Sequence, residues 1–101
     1  MEKKDEARMP HRGYRIEHVS SAFLQAEEGD FGVVYREGSR QLLFLGVQRP
    51  EPEADVLFVP SETAWASRVE PWARNRRAQI LDRLLRDPLV QRCEIRSSSL
   101  P

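Results

Sequence analysis

Apolar and polar positions alternate along several stretches of this chain, and the period turns helical after residue 60 before alternation returns at Val90. Tyr14-Arg-Ile-Glu-His-Val19 puts Tyr14, Ile16 and His18 on one side and Arg15 and Glu17 on the other, as a half-buried strand does. That strand is expected to continue towards Phe23. Glu27-Glu-Gly-Asp30 supplies turn chemistry before Phe31-Gly-Val-Val-Tyr-Arg36, a second strand with Phe31, Val33 and Tyr35 on a common face. Gly38-Ser39 separates it from Arg40-Gln-Leu-Leu-Phe-Leu-Gly-Val-Gln48, and a glycine opening a two-residue loop predicts a type II′ or I′ hairpin. Leu42 to Val47 is apolar at both parities, which predicts a central strand or one covered on both faces at one end. Asp55-Val-Leu-Phe-Val-Pro60 is a fourth strand of the same kind, after the acidic loop Pro50-Glu-Pro-Glu53 and ended by a proline that cannot donate to a ladder. Val90-Gln-Arg-Cys-Glu-Ile-Arg96 alternates again, with Cys93 and Ile95 predicted inward and Arg92, Glu94 and Arg96 outward.

Between the fourth and fifth strands the period becomes helical. Ser61 is a good N-cap and Glu62 suits the first turn, so residues 62–68 are expected to form one or two turns. Pro71 fits the first position of a longer helix that should end near Asp87-Pro88. The order β-β-β-β-α-α-β predicts an α+β fold: a roughly five-stranded, mainly antiparallel sheet with one short and one long helix packed on one face. Residues 1–13 read as a flexible arm, 14–97 as the single domain and 98–101 as a loose tail.

On a helical wheel, Ala73, Ile80, Leu81, Leu84 and Leu85 form the stripe that should face the sheet. Arg77 falls inside this stripe, so its guanidinium must snorkel past the sheet edge or meet an acidic partner. Arg74, Arg76 and Arg77 all sit in the first two turns, where the positive end of the helix dipole disfavours cations. The opposite stripe carries Trp72, Arg76, Gln79, Arg83 and Arg86, an aromatic beside a basic ridge, the composition enriched at binding hot spots. These five are the candidate partner-binding residues. A core role for Trp72, clamped with Trp65, and a merely solvated arginine face are the structural alternatives.

Composition bounds the function more than it names it. The chain has 101 residues and zero formal net charge; residues 1–60 carry eight basic and eleven acidic groups, residues 61–101 eight and five. The basic half could serve an acidic partner or the chain's own acidic half. Cys93 stands alone, which excludes an intramolecular disulfide and a multi-cysteine metal site. No signal sequence and no run of ~18 apolar residues is recognisable, so a cytoplasmic protein without membrane association is expected.

Catalytic signatures are missing. Cys93 and His18 are predicted on one covered face, but no nucleophile elbow or helix N-terminus surrounds Cys93, which reads as a core thiol. His11 and His18 lack metal spacing, and Glu27, Glu28 and Asp30 lack the ligand spacing of a calcium loop. The glycines at 13, 29, 32, 38 and 46 are isolated, so no phosphate loop is expected. The sequence therefore predicts no enzyme, no cofactor and no metal. Nucleic acid is the weaker class of partner, because the acidic half would repel the phosphates that the arginine ridge attracts.

A strand running into Pro60-Ser61, then Trp65, Trp72 and Arg76-Arg-Ala-Gln-Ile-Leu-Asp-Arg-Leu84, resembles small bacterial immunity-type domains found beside polymorphic toxins. The resemblance covers the C-terminal two-fifths of the chain. It implies a non-enzymatic protein that binds and blocks a toxin domain. The alternatives are a nucleic-acid-binding accessory domain using the arginine-rich helix, and a purely structural domain. A monomer or a homodimer is open, since an edge strand, Tyr14–Val19 or Val90–Arg96, could pair with its own copy.

Overall fold

A computed structural model describes residues 13–20 and 30–98. The expected arm up to residue 12, the strand continuation towards Phe23, the Glu27–Gly29 turn and the tail beyond Ser98 lie outside the described residues. The elements are β1 (Arg15–Ser20), β2 (Asp30–Glu37), β3 (Arg40–Val47), β4 (Val56–Pro60), α1 (Glu62–Arg68), a 3-10 segment Pro71–Arg76 running into α2 (Arg77–Leu84), a 3-10 turn Val90–Arg92 and β5 (Glu94–Ser98). The fold is α+β in the predicted order.

The five strands lie side by side in sequence order. Pairing is antiparallel from β1 to β4 and parallel between β4 and β5, so the sheet is mixed. A parallel neighbour needs a crossover, and the helices supply it. Gly38 takes φ 60° at the first position of the two-residue β2–β3 loop, a conformation that glycine adopts without steric cost.

Ser61 caps α1 as expected, its Oγ accepting from the Ala64 N–H at 3.2 Å. Packing then dominates. Trp65, 1% exposed, stacks on Phe44 with ring centroids 6.2 Å apart and donates its indole N–H to the Ala73 carbonyl at 2.9 Å. That bond satisfies the one polar atom of the largest core side chain and ties α1 to the segment after it. Val33, Tyr35, Phe44, Leu57 and Val59 from the sheet meet Trp65, Ala73, Ile80, Leu84 and Val90 from the other layer. Each valine, leucine, isoleucine and phenylalanine among them contributes about 1.5–3 kcal/mol by leaving water.

Arg77 is held within the chain, by a backbone carbonyl in place of the expected acidic partner. Its Nε and Nη2 donate to the Pro60 carbonyl at 3.2 and 2.9 Å, and its guanidinium lies 6.0 Å from the Trp65 ring.

Two expectations need correction. The long helix is not continuous: Asn75 at φ −95°, ψ 16° separates the 3-10 turn from α2, which ends at Leu84. The arginine-loaded first turns have no acidic residue and no side-chain cap to favour an α-helical start. The last strand begins at Glu94, not Val90. Asp87 Oδ2 accepts the N–H groups of Leu89 and Val90 at 3.1 Å each, which winds residues 90–92 into a turn that buries Val90 and leaves Ile95 40% exposed. β3 is the central strand, the first of the two expected alternatives, and is covered on one face only. Leu43, Leu45 and Val47 are 50, 53 and 39% exposed on the face away from the helices.

Candidate functional site

The predicted arginine ridge folds back onto its own chain. Glu37 ends β2 on the face shared with Tyr35, and Arg76 grips it bidentately, Nη1 to Oε1 at 2.9 Å and Nη2 to Oε2 at 2.6 Å. Arg83 Nη1 donates to Glu37 Oε2 at 3.0 Å and to the Tyr35 hydroxyl at 2.8 Å, while that hydroxyl donates to the same carboxylate. Gln79 accepts from Arg76 Nε at 2.8 Å, which fixes the guanidinium plane. The Arg76 hydrogen bonds hold the Glu37 carboxyl below the usual range, helped by the Tyr35 bond and by both positive charges, against the opposing effect of burial. Glu37 in turn raises Arg76. Burial, then Glu37, pushes the Tyr35 hydroxyl up.

Arg76, Gln79 and Arg83 are thus brought together, around a carboxylate that the sequence reading did not single out. Trp72 is half-buried beside them, its ring centroid 5.6 Å from the Arg40 guanidinium and 5.7 Å from that of Arg76. Arg86 stands apart in an exposed pair with Asp82 at 3.1 Å. The alternation of β2 carried a signal for Glu37: it continues the stripe of Phe31, Val33 and Tyr35, so an anion ends an inward row under a basic helix.

His18 and Cys93 line one cleft of about 390 Å³, with Val33, Asp55 and Val90. The cleft does not activate the thiol. Burial pushes Cys93 up, and the carboxylates of Asp55 and Asp87 add to it, so the reactive thiolate is disfavoured. His18 Nε2 is engaged by Asp87 Oδ2 at 3.0 Å, on the oxygen that caps Val90. Among the described residues no group of three or more histidine, cysteine or acidic side chains is placed to hold a metal ion.

The face away from the helices is the other distinct surface. Register places Glu17, Val34 and Leu43 in one cross-strand row, Val19, Gly32 and Leu45 in the next, and Asp30, Val47, Val56 and Glu94 in a third. Its apolar centre has a charged rim: Arg15 and Arg36 on Glu17 at one edge, Arg49 and Arg96 on Glu94 at the other. An apolar centre inside a polar rim is the anatomy of a protein interface. The sheet also forks here. β3 and β4 pair only at Gly46↔Leu57 and Val47↔Val56, and the gap beyond is a groove of about 460 Å³ walled by Leu43, Leu45, Phe58, Pro60, Ser97 and Ser98.

No helix among the described residues is long and apolar enough to cross a membrane. No protein-family model matches the chain, and comparison with curated proteins and with solved structures finds no match.

Proposed function

We propose that this chain is a small non-enzymatic protein-binding domain that engages its partner through the helix-free face of the sheet. The row of Leu43, Leu45 and Val47, exposed beside Phe58 and framed by charges, carries this reading. Exposed leucines clustered on one strand row are a recognised mark of an interaction surface, whereas single exposed ones are ordinary. The helix ridge plays the lesser part: Arg76 and Arg83 already have a carboxylate, and a partner's acidic group would have to compete with Glu37. The resemblance to immunity-type domains makes a toxin domain, encoded next to this chain, the partner class to test.

Co-expression with the product of the neighbouring gene, followed by affinity purification of the tagged full chain, tests the proposal. A stoichiometric complex is expected, lost in a Leu43→Glu/Leu45→Lys variant whose melting temperature stays within a few degrees of the parent. Retention of the complex by that variant would overturn the reading. Binding that is instead to nucleic acid and falls steeply with salt would replace it with the arginine-helix alternative.

A further inference from the structure

We infer that the fork between β3 and β4 is a strand-acceptor site for an extended, acidic-and-apolar segment of a partner protein. The inference rests on the protein-binding reading and gives it a mode. With a two-residue loop at Gly38-Ser39, Glu37 and Arg40 close the hairpin and hydrogen-bond each other, and alternate residues of β3 turn their backbone groups the same way. Arg40, Leu42, Phe44 and Gly46 therefore face β2. Gln41 and Leu43 present N–H and C=O towards β4, and Leu45 its N–H, since β4 pairs with β3 only at Gly46↔Leu57 and Val47↔Val56.

Backbone donors and acceptors on a strand edge are a template for another strand. On the β4 side the matching end is Pro60, which has no N–H to give and whose carbonyl is already taken by Arg77. β4 cannot zip the fork shut past that point, so the β3 edge is the one that accepts.

Side chains specify the occupant. Leu43, Leu45 and Phe58 wall the groove, so alternate residues of an added strand would be apolar. Charge supplies the rest. Arg36 pairs in register with Gln41 and Arg96 with Phe58, both on the groove's face of the sheet. Among the described residues no carboxylate lines the groove, and the two nearest in register, Glu37 and Glu94, are each held by two arginines. An incoming segment with carboxylates between its apolar residues meets Arg36 and Arg96 beside the groove, on a face where Glu17 and Glu94 are each outnumbered by two arginines.

Amide hydrogen exchange by NMR on the full chain tests this, with an acetylated heptapeptide alternating valine with aspartate and threonine as the probe. In the free protein the amides of Gln41, Leu43 and Leu45 should exchange at least about tenfold faster than those of Leu42 and Phe44. Saturating peptide should slow them by about tenfold or more, Leu45→Glu should abolish the effect, and lysine in place of aspartate should weaken it. N-methylation of alternate peptide residues keeps the side chains and removes the ladder donors, so it should cost about tenfold in affinity or more. Slow exchange at Leu43 and Leu45 in the free protein, no protection at millimolar peptide, or equal binding of the N-methylated peptide would each overturn the site. Protection that grows with protein concentration alone would overturn it too, by assigning the edge to a second copy. A Leu45→Glu variant that loses its protein partner while N-methylation has no effect would remove strand addition and leave face binding standing.

Discussion

Arg76 meets Glu37 through both terminal nitrogens, at 2.9 and 2.6 Å, across 39 positions of sequence. The pair clamps the start of the second helical segment to the end of β2. It also answers the conflict between three arginines and the positive end of a helix: a carboxylate from the sheet supplies the negative charge that the first turn lacks. Both side chains are more than two-thirds covered, at 28% and 15% exposure, so the attraction is less screened than in a surface pair.

Replacing Glu37 by alanine is therefore expected to destabilise the fold by about 2 kcal/mol, because Arg76, Arg83 and the Tyr35 hydroxyl all lose the same acceptor. A double-mutant cycle in urea with Arg76→Ala should return a coupling of about 1–2 kcal/mol. Arg86→Ala serves as the contrast. Its partner Asp82 lies four residues back on the same exposed helix face, so its loss should stay within about 0.5 kcal/mol.

The same cluster sets a pH dependence. Glu37 has its folded pKa below the ordinary 4.5, so its contribution is present above that value and is lost as pH falls from there through the depressed folded value. Tyr35 works at the other end: its pKa is raised above 10.0, so its contribution is present below pH 10 and lost as pH rises through the folded value. Urea midpoints measured across pH should show the acid slope reduced in Glu37→Gln and the alkaline slope reduced in Tyr35→Phe. An acid slope unchanged by Glu37→Gln would assign it to other carboxylates, such as Glu17 beneath Arg36.

Much of this architecture was legible, and the exceptions have physical causes. Arg77 could be read from the wheel, because a cation inside an apolar stripe has few solutions and a strand-end carbonyl is one of them. Glu37 was harder. A glutamate beside a hairpin resembles turn chemistry, and only long-range packing shows that the basic ridge comes down on it. Val90 to Arg96 alternates as a strand should, yet Asp87 captures two N–H groups and winds the segment's first half before pairing begins. The double parity of Leu42 to Val47 records that both faces avoid charge. It does not record what covers the second face, since buried layers and interfaces draw on the same residues. The candidate ridge was legible as a cluster; its orientation towards its own sheet was not.

Gly46 gives the last test, and it bears on the core beside the fork. Register sets Gly46 opposite Phe31, and a β-carbon at Gly46 would lie 2.3–2.8 Å from three atoms of the Phe31 ring, so the glycine serves here as space and not as backbone freedom. Gly46→Ala must push that ring off its position against the core, an overpacking that should cost about 1–3 kcal/mol. Phe31→Leu alone loses apolar contact and should also destabilise. Together, the smaller side chain makes room for the new methyl, so the double variant should be more stable than the sum of the two losses predicts, by about 1 kcal/mol or more. Thermal unfolding of all four proteins measures it. Strict additivity would mean that the ring is free to swing away and that Gly46 answers to something other than Phe31.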